Sequence, residues 1–189
     1  MGRTFAKTMF SEAAKRLQEQ HGSRAQYERA AERGPSSDAL GPMEREFIAR
    51  RDSFYMASVT EDGWPYVQHR GGPKGFLRVL DGKTLAFADF SGNKQYITAG
   101  NLATNDRVAL FLMDYPGQAR LKVIGHARVV ERDAELEAKV RVAGYPAKVD
   151  WVMVVKVVGF DWNCSQHITP RWTKEEIEAV MGEARGGQE

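Results

Sequence analysis

Past residue 52 the chain runs in short apolar and β-branched stretches broken by turn residues, the pattern of an antiparallel sheet. Runs 54–60 and 64–70 flank Glu61-Asp62-Gly63, and runs 75–80 and 84–88 flank Asp81-Gly82-Lys83. Both Asp-Gly pairs are expected to supply the positive backbone dihedrals of tight hairpin turns, so two hairpins are predicted. Segments 107–114, 120–130 and 150–162 add three strands, the last apolar on both faces apart from Lys156, as in a strand buried on both sides. Helical signals fall on 93–101, on 133–142 with Asp133 as N-cap, and on 173–181, where Thr173 and Glu176 form a capping box. Upstream, Phe10, Ala14, Leu17, Tyr27, Ala30 and Ala31 recur at helical spacing over 10–33, with Gly22 as a break, which predicts two short helices. Gly34-Pro35-Ser36-Ser37-Asp38 and Gly41-Pro42 then read as a linker, and Pro42 can open a helix through Arg51. The expected organisation is an N-terminal helical arm, 1–41, ahead of one domain, 42–189, that ends in a helix. The expected fold is mainly β (α+β), an antiparallel barrel with peripheral helices.

Composition narrows the partners. A length of 189 residues suits one well-buried domain, and 42% hydrophobic with 28% charged residues is ordinary for a globular chain. With 27 basic against 25 acidic side chains, the net charge of +2 makes no field suited to a long polyanion, so nucleic acid is not expected as a partner. The single cysteine, Cys164, forms no internal disulfide and suits a reducing compartment. Residues 1–11 carry no apolar run long enough for a signal-peptide core, and no stretch reaches the length of a membrane span, the longest candidate, 151–160, being interrupted by Lys156. A soluble, cytoplasmic protein is expected.

Three segments can carry chemistry. Phe90-Ser91-Gly92-Asn93-Lys94-Gln95 follows a strand and is expected to open a helix, where free backbone N–H groups, the helix dipole and Lys94 form a phosphate cradle; an ordinary helix cap is the alternative. Gln68-His69-Arg70-Gly71-Gly72-Pro73-Lys74-Gly75 runs from a strand into a cationic, glycine-rich turn. Its glycines permit close approach to a ligand and Arg70 can grip a phosphate, or the glycines serve turn geometry alone. In the third, 160–172, Trp162 and Trp172 can lie against a flat ring while Asn163, Gln166 and Arg171 bond its polar edge; the alternative places both indoles in the core or at a subunit contact. Cys164 and His167 have the spacing of half a metal site, but no second cysteine completes it, and a lone cysteine is more often a small buried side chain than a nucleophile.

Ser91-Gly92-Asn93-Lys94, set after Leu85-Ala86-Phe87-Ala88-Asp89 and before Asn101 and Val108-Ala109-Leu110-Phe111, resembles the FMN-phosphate segment of pyridoxamine 5'-phosphate oxidase-like proteins. The likeness spans 47–172 and is nearest the oxidase-related FMN-binding branch, with its His-Arg-Gly-Gly-Pro and Asn-Cys-x-Gln-His segments. It implies a split β-barrel that dimerises with FMN in a groove built by both subunits. By position, Arg70, Ser91, Asn93 and Lys94 would hold the phosphate, with Gln68 and His69 near the ribityl chain or ring and Gly71, Ala88, Asp89 and Gln95 alongside. Gln118, Arg120, Trp162, Asn163 and Gln166 would reach the flavin from the partner subunit. Asn93 stands where the family has arginine, leaving Lys94 and Arg70 as the main charges on the phosphate. Arg171 and Trp172 are adjacent, where true pyridoxamine phosphate oxidases carry an Arg-x-x-x-Trp type segment that grips substrate, so vitamin B6 oxidation is not implied. What the resemblance implies is an FMN-dependent oxidoreductase working with a small electron donor or acceptor. Two other functions suit the same barrel, a non-enzymatic flavin- or haem-binding protein and a deazaflavin-dependent reductase.

Overall fold

The structure, a computed structural model, describes residues 1–163 and 165–186. Seven strands form one sheet in the order β2-β1-β5-β6-β7-β4-β3, with every ladder antiparallel. They are β1 (Ser53–Val59), β2 (Pro65–Gly71), β3 (Arg78–Asp81), β4 (Thr84–Phe90), β5 (Arg107–Asp114), β6 (Ala119–Val130) and β7 (Val149–Asn163). The helices are α1 (Arg3–Met9), α2 (Glu12–Gln20), α3 (Arg24–Arg33), α4 (Pro42–Ala49), α5 (Ile97–Thr104), α6 (Ala134–Val140) and α7 (Lys174–Gly186).

The sheet curls until its two ends meet without sharing a ladder, which makes the barrel split rather than closed. Phe54 on β1 stacks on Phe76 at 5.6 Å and meets Phe87 of β4 edge-on at 5.2 Å, joining opposite ends of the strand order through the core. Around them Met56, Leu85, Leu110, Leu121 and Met153 are fully buried, each stabilising the fold by about 1.5–3 kcal/mol relative to exposure. The long β6–β7 ladder shifts register between Ile124 and Gly125, where a Cβ on Gly125 would lie 2.4 Å from the Lys156 carbonyl oxygen. Only glycine lets the two backbones pass there.

Local chemistry sets most element ends as expected. Asp133 accepts from the Leu136 N–H at 2.9 Å, and Thr173 and Glu176 cap α7 reciprocally at 2.8 and 3.2 Å. Pro42 opens α4, and the Glu44 carboxylate accepts from the Gly41 N–H at 2.9 Å.

Four expectations change. Gly63 has φ +88°, but Gly82 has no positive φ; there Asp81 accepts from the Lys83 N–H at 2.7 Å and shapes the turn with its side chain. The strand expected from residue 75 begins at Arg78, because Gly75 (φ +76°) and a Phe76 N–H bond to the Pro73 carbonyl keep the chain turning. The helix expected over 93–101 is α5, displaced to Ile97–Thr104 by left-handed Lys94 (φ 59°) and Tyr96 (φ 54°). A third arm helix, α1, buries Phe5 and Ala6 and packs on β7, where buried Asp161 accepts from the Gly2 N–H at 3.3 Å. No helix among the described residues is long and apolar enough to cross a membrane.

Candidate functional site

The pleat of β2 sends Tyr66, Gln68 and Arg70 toward the seam of the barrel and exposes Val67 and His69 on the opposite face. At the seam the first three line a cleft with Asp89 and Phe90 of β4, residues 92–96, the first turn of α5, and Asp150 and Trp151 of β7. Arg70 and Lys94, far apart in sequence, thus share one cleft. Ser91 is held by its N–H to the Lys148 carbonyl at 2.8 Å, and the Asn93 side chain accepts from the Gln95 N–H at 3.2 Å. Left-handed backbone at two non-glycine residues in so short a loop is the kind of strain that concentrates at ligand clamps. No side chain among the described residues caps α5, so its first-turn N–H groups bring partial positive charge to residues 97–99 of the lining. Thr98 donates to Gln68 Oε1 at 2.9 Å and ties the helix to β2.

The charges in this cleft are balanced. Arg70 is ion-paired across the seam with Asp89, both side chains nearly buried, and Trp151 Nε1 donates to the second Asp89 oxygen at 2.8 Å. Burial pushes the Asp89 carboxyl above its usual value and Asp150 adds to the shift, while Arg70 and the Trp151 N–H act against it. Arg70 Nε is buried without a partner among the described residues. The cleft volume is about 50 Å³, room for a phosphate-sized group and well below the few hundred Å³ of a site that encloses an aromatic cofactor.

The other face of the sheet carries a row set by register, His69–Tyr55–Phe111–Lys122. Tyr55 is 41% exposed and Val67 61%, so much of this apolar face is open, while Phe5 of α1 lies under the Lys122 ammonium at 4.6 Å. Beside it, Arg120 of β6 lines a second cleft of about 400 Å³ with Tyr115, His167 and Arg171. Gln118 donates to the Ile168 carbonyl at 2.7 Å and pins segment 165–173 against the β5–β6 turn.

A sequence profile for pyridoxamine 5'-phosphate oxidase matches residues 40–158. The chain belongs to the pyridoxamine 5'-phosphate oxidase family. No curated protein matches the chain. Among solved structures, a Lactobacillus delbrueckii protein named for pyridoxamine 5'-phosphate oxidase is 22% identical with TM-score 0.50, over 66% of this chain and 95% of that one. HupZ of Group A Streptococcus is 17% identical with TM-score 0.50, over 70% of this chain and 99% of its own. At these identities the likeness establishes the shared barrel.

Within that family fold the expected site residues divide. Gln68, Arg70, Asp89, Asn93, Lys94 and Gln95 line the seam cleft, and Ser91 leads into its loop. His69 lies on the opposite face, against the Tyr55 ring at 5.6 Å, and Gly71 ends the same strand. Gln118 and Arg120 lie at the second cleft, with exposed Gln166 on the segment that borders it. Ala88 points away from Asp89 into a small core under α6. Trp162 is built into the fold: its Nε1 donates to Glu44 at 2.8 Å and its ring meets Phe47 at 4.8 Å. Cys164 and the Asn163 side chain lie outside the described residues. Gly72 and Gly75 are closely packed within the chain, since a Cβ on Gly72 would lie 2.8 Å from the Phe76 ring and one on Gly75 2.9 Å from the Ala49 carbonyl. The sequence reading missed Tyr66, Tyr96, Thr98, Asp150 and Trp151. Only the pairing of Asp89 with Trp151 across β4 and β7 reveals the last of these.

Proposed function

We propose that this chain binds FMN by its phosphate at the seam cleft and acts as a homodimeric, cytoplasmic oxidoreductase, moving two electrons between the flavin and a small donor or acceptor. The observation that carries the reading is the meeting of Arg70, Lys94 and the uncapped start of α5 in one phosphate-sized cleft. A phosphate carries about −1.5 to −2 charge at neutral pH and is held by such charge-assisted bonds. Lys94 supplies the formal charge that Asp89 leaves unspent, and Asp89 holds Arg70 at the seam as a positioning residue. The isoalloxazine ring exceeds the cleft, and an open apolar sheet face in the same subunit supports a second copy as the source of the missing walls. Bound flavin would supply the two-electron chemistry; the protein supplies orientation and exclusion of water.

The balance of Arg70 and Lys94 against Asp89 and Asp150 favours a second reading, a deazaflavin whose phosphate is a singly charged diester. The absorption spectrum of the bound cofactor separates the two. Turnover tests the enzyme itself: consumption of a reduced nicotinamide in molar excess over protein, with oxygen or a quinone as acceptor, is expected. One stoichiometric reduction followed by silence marks a binding protein instead.

A further inference from the structure

The second cleft differs from the first in its charge. Its lining includes Arg120, His167 and Arg171 and, among the described residues, no carboxylate, whereas Arg70 in the seam is answered by Asp89. Arg120 Nε is buried and has no hydrogen-bond partner among the described residues, so the guanidinium has given up water on that side without replacement. Arg171 lies over the Tyr115 ring at 5.1 Å, a contact that pre-orients its planar fork while leaving its donors available. Tyr55, Phe111 and Tyr115 supply aromatic surface, and the volume of about 400 Å³ suits a single-ring molecule. The cleft is also shaped by design of the chain: Gln118 fixes Ile168, and His167 turns through a left-handed conformation (φ 63°) to bring segment 165–173 back over β6.

We propose that this cleft binds a small aromatic or conjugated carboxylate, its charge on Arg120 and Arg171 and its ring against the tyrosine and phenylalanine walls. Binding of such an anion stands on the cleft alone. Its identity as the substrate of the flavin reaction rests on the function proposed above. The assignment also moves Arg120 from the flavin to the substrate.

Salicylate, whose own fluorescence reports binding, is the probe, titrated into the full-length protein with and without FMN. Saturable binding is expected, weakened about tenfold or more by Arg171→Ala and likewise by Arg120→Ala, and unchanged by Lys94→Gln in the seam cleft. Arg171 is exposed, so its variant folds even if the Arg120 variant does not. Benzyl alcohol, the neutral analogue, is expected not to compete. Absence of saturable binding, affinity unchanged from wild type in both arginine variants, or displacement of salicylate by benzyl alcohol overturns the proposal. Displacement by stoichiometric FMN also overturns it, by returning Arg120 to the flavin. Failure of FMN to bind, with salicylate binding intact, sinks only the cofactor reading.

Discussion

Replacing Arg70 by Ala removes the cation that is ion-paired across the seam between β2 and β4. Its side chain is 12% exposed and that of Asp89 11%, so solvent screens the pair weakly. Stripping one partner from a buried pair costs about 3–5 kcal/mol when the remaining charge stays ionised. Asp89 has an escape, because burial already holds its carboxyl above the usual range and loss of Arg70 pushes it higher. Protonation then limits the penalty at about 1.4 kcal/mol for each pH unit above the carboxyl's unfolded-state pKa. The lower part of the range, about 3 kcal/mol at neutral pH, is therefore expected. The sign with pH follows from linkage. A carboxyl raised in the folded state binds its proton more tightly there, so stability is lost as pH rises from the unfolded value through the folded one. In Arg70→Ala that window extends further upward, and the penalty shrinks as pH falls. Urea denaturation of the wild type, Arg70→Ala, Asp89→Asn and the double variant, at neutral pH and near pH ~5, measures this. The double variant is expected to lose less than the sum of the single losses by about 1 kcal/mol or more. Additive losses together with a pH-independent penalty for Arg70→Ala would refute the reasoning.

Trp162→Phe leaves Glu44 Oε1 without its indole donor and is expected to lower stability by about 1–3 kcal/mol while flavin affinity stays unchanged, which denaturation and cofactor titration check together. Val67→Lys places a charge on the open sheet face and is expected to shift a dimer to monomer in sedimentation without changing the far-ultraviolet circular dichroism.

The strands were legible because their signal is local. Period-two alternation and turn residues survive in 54–60 and 64–70, and in the structure β1 and β2 pair over their full length. The strand order was not legible, since Asp89 and Trp151 lie 62 residues apart and become neighbours only through the β4–β7 ladder. Helix α5 was read as starting at Asn93 because nothing local announces left-handed backbone at Lys94 and Tyr96, residue types that seldom adopt it. The arm helix α1 carries little amphipathic pattern of its own; Phe5 and Ala6 become meaningful only when β7 lies beneath them. Of the site, the cationic bends could be named from sequence, because glycine, lysine and arginine at strand ends are visible there. The carboxylate that balances Arg70 was named only among the family's cofactor contacts, and its pairing was invisible. Trp162 shows what residue type alone leaves out, as its indole donates to Glu44, a partner distant in sequence that only the fold brings beside it.

Titration of flavin-free protein with FMN, followed by quenching of flavin fluorescence, tests the seam cleft most directly. Saturation at one FMN per subunit is expected, with affinity falling about ten- to a hundredfold in Lys94→Gln through loss of one charge-assisted contact. Absence of saturable binding, or identical affinity in wild type and Lys94→Gln, would contradict the phosphate assignment.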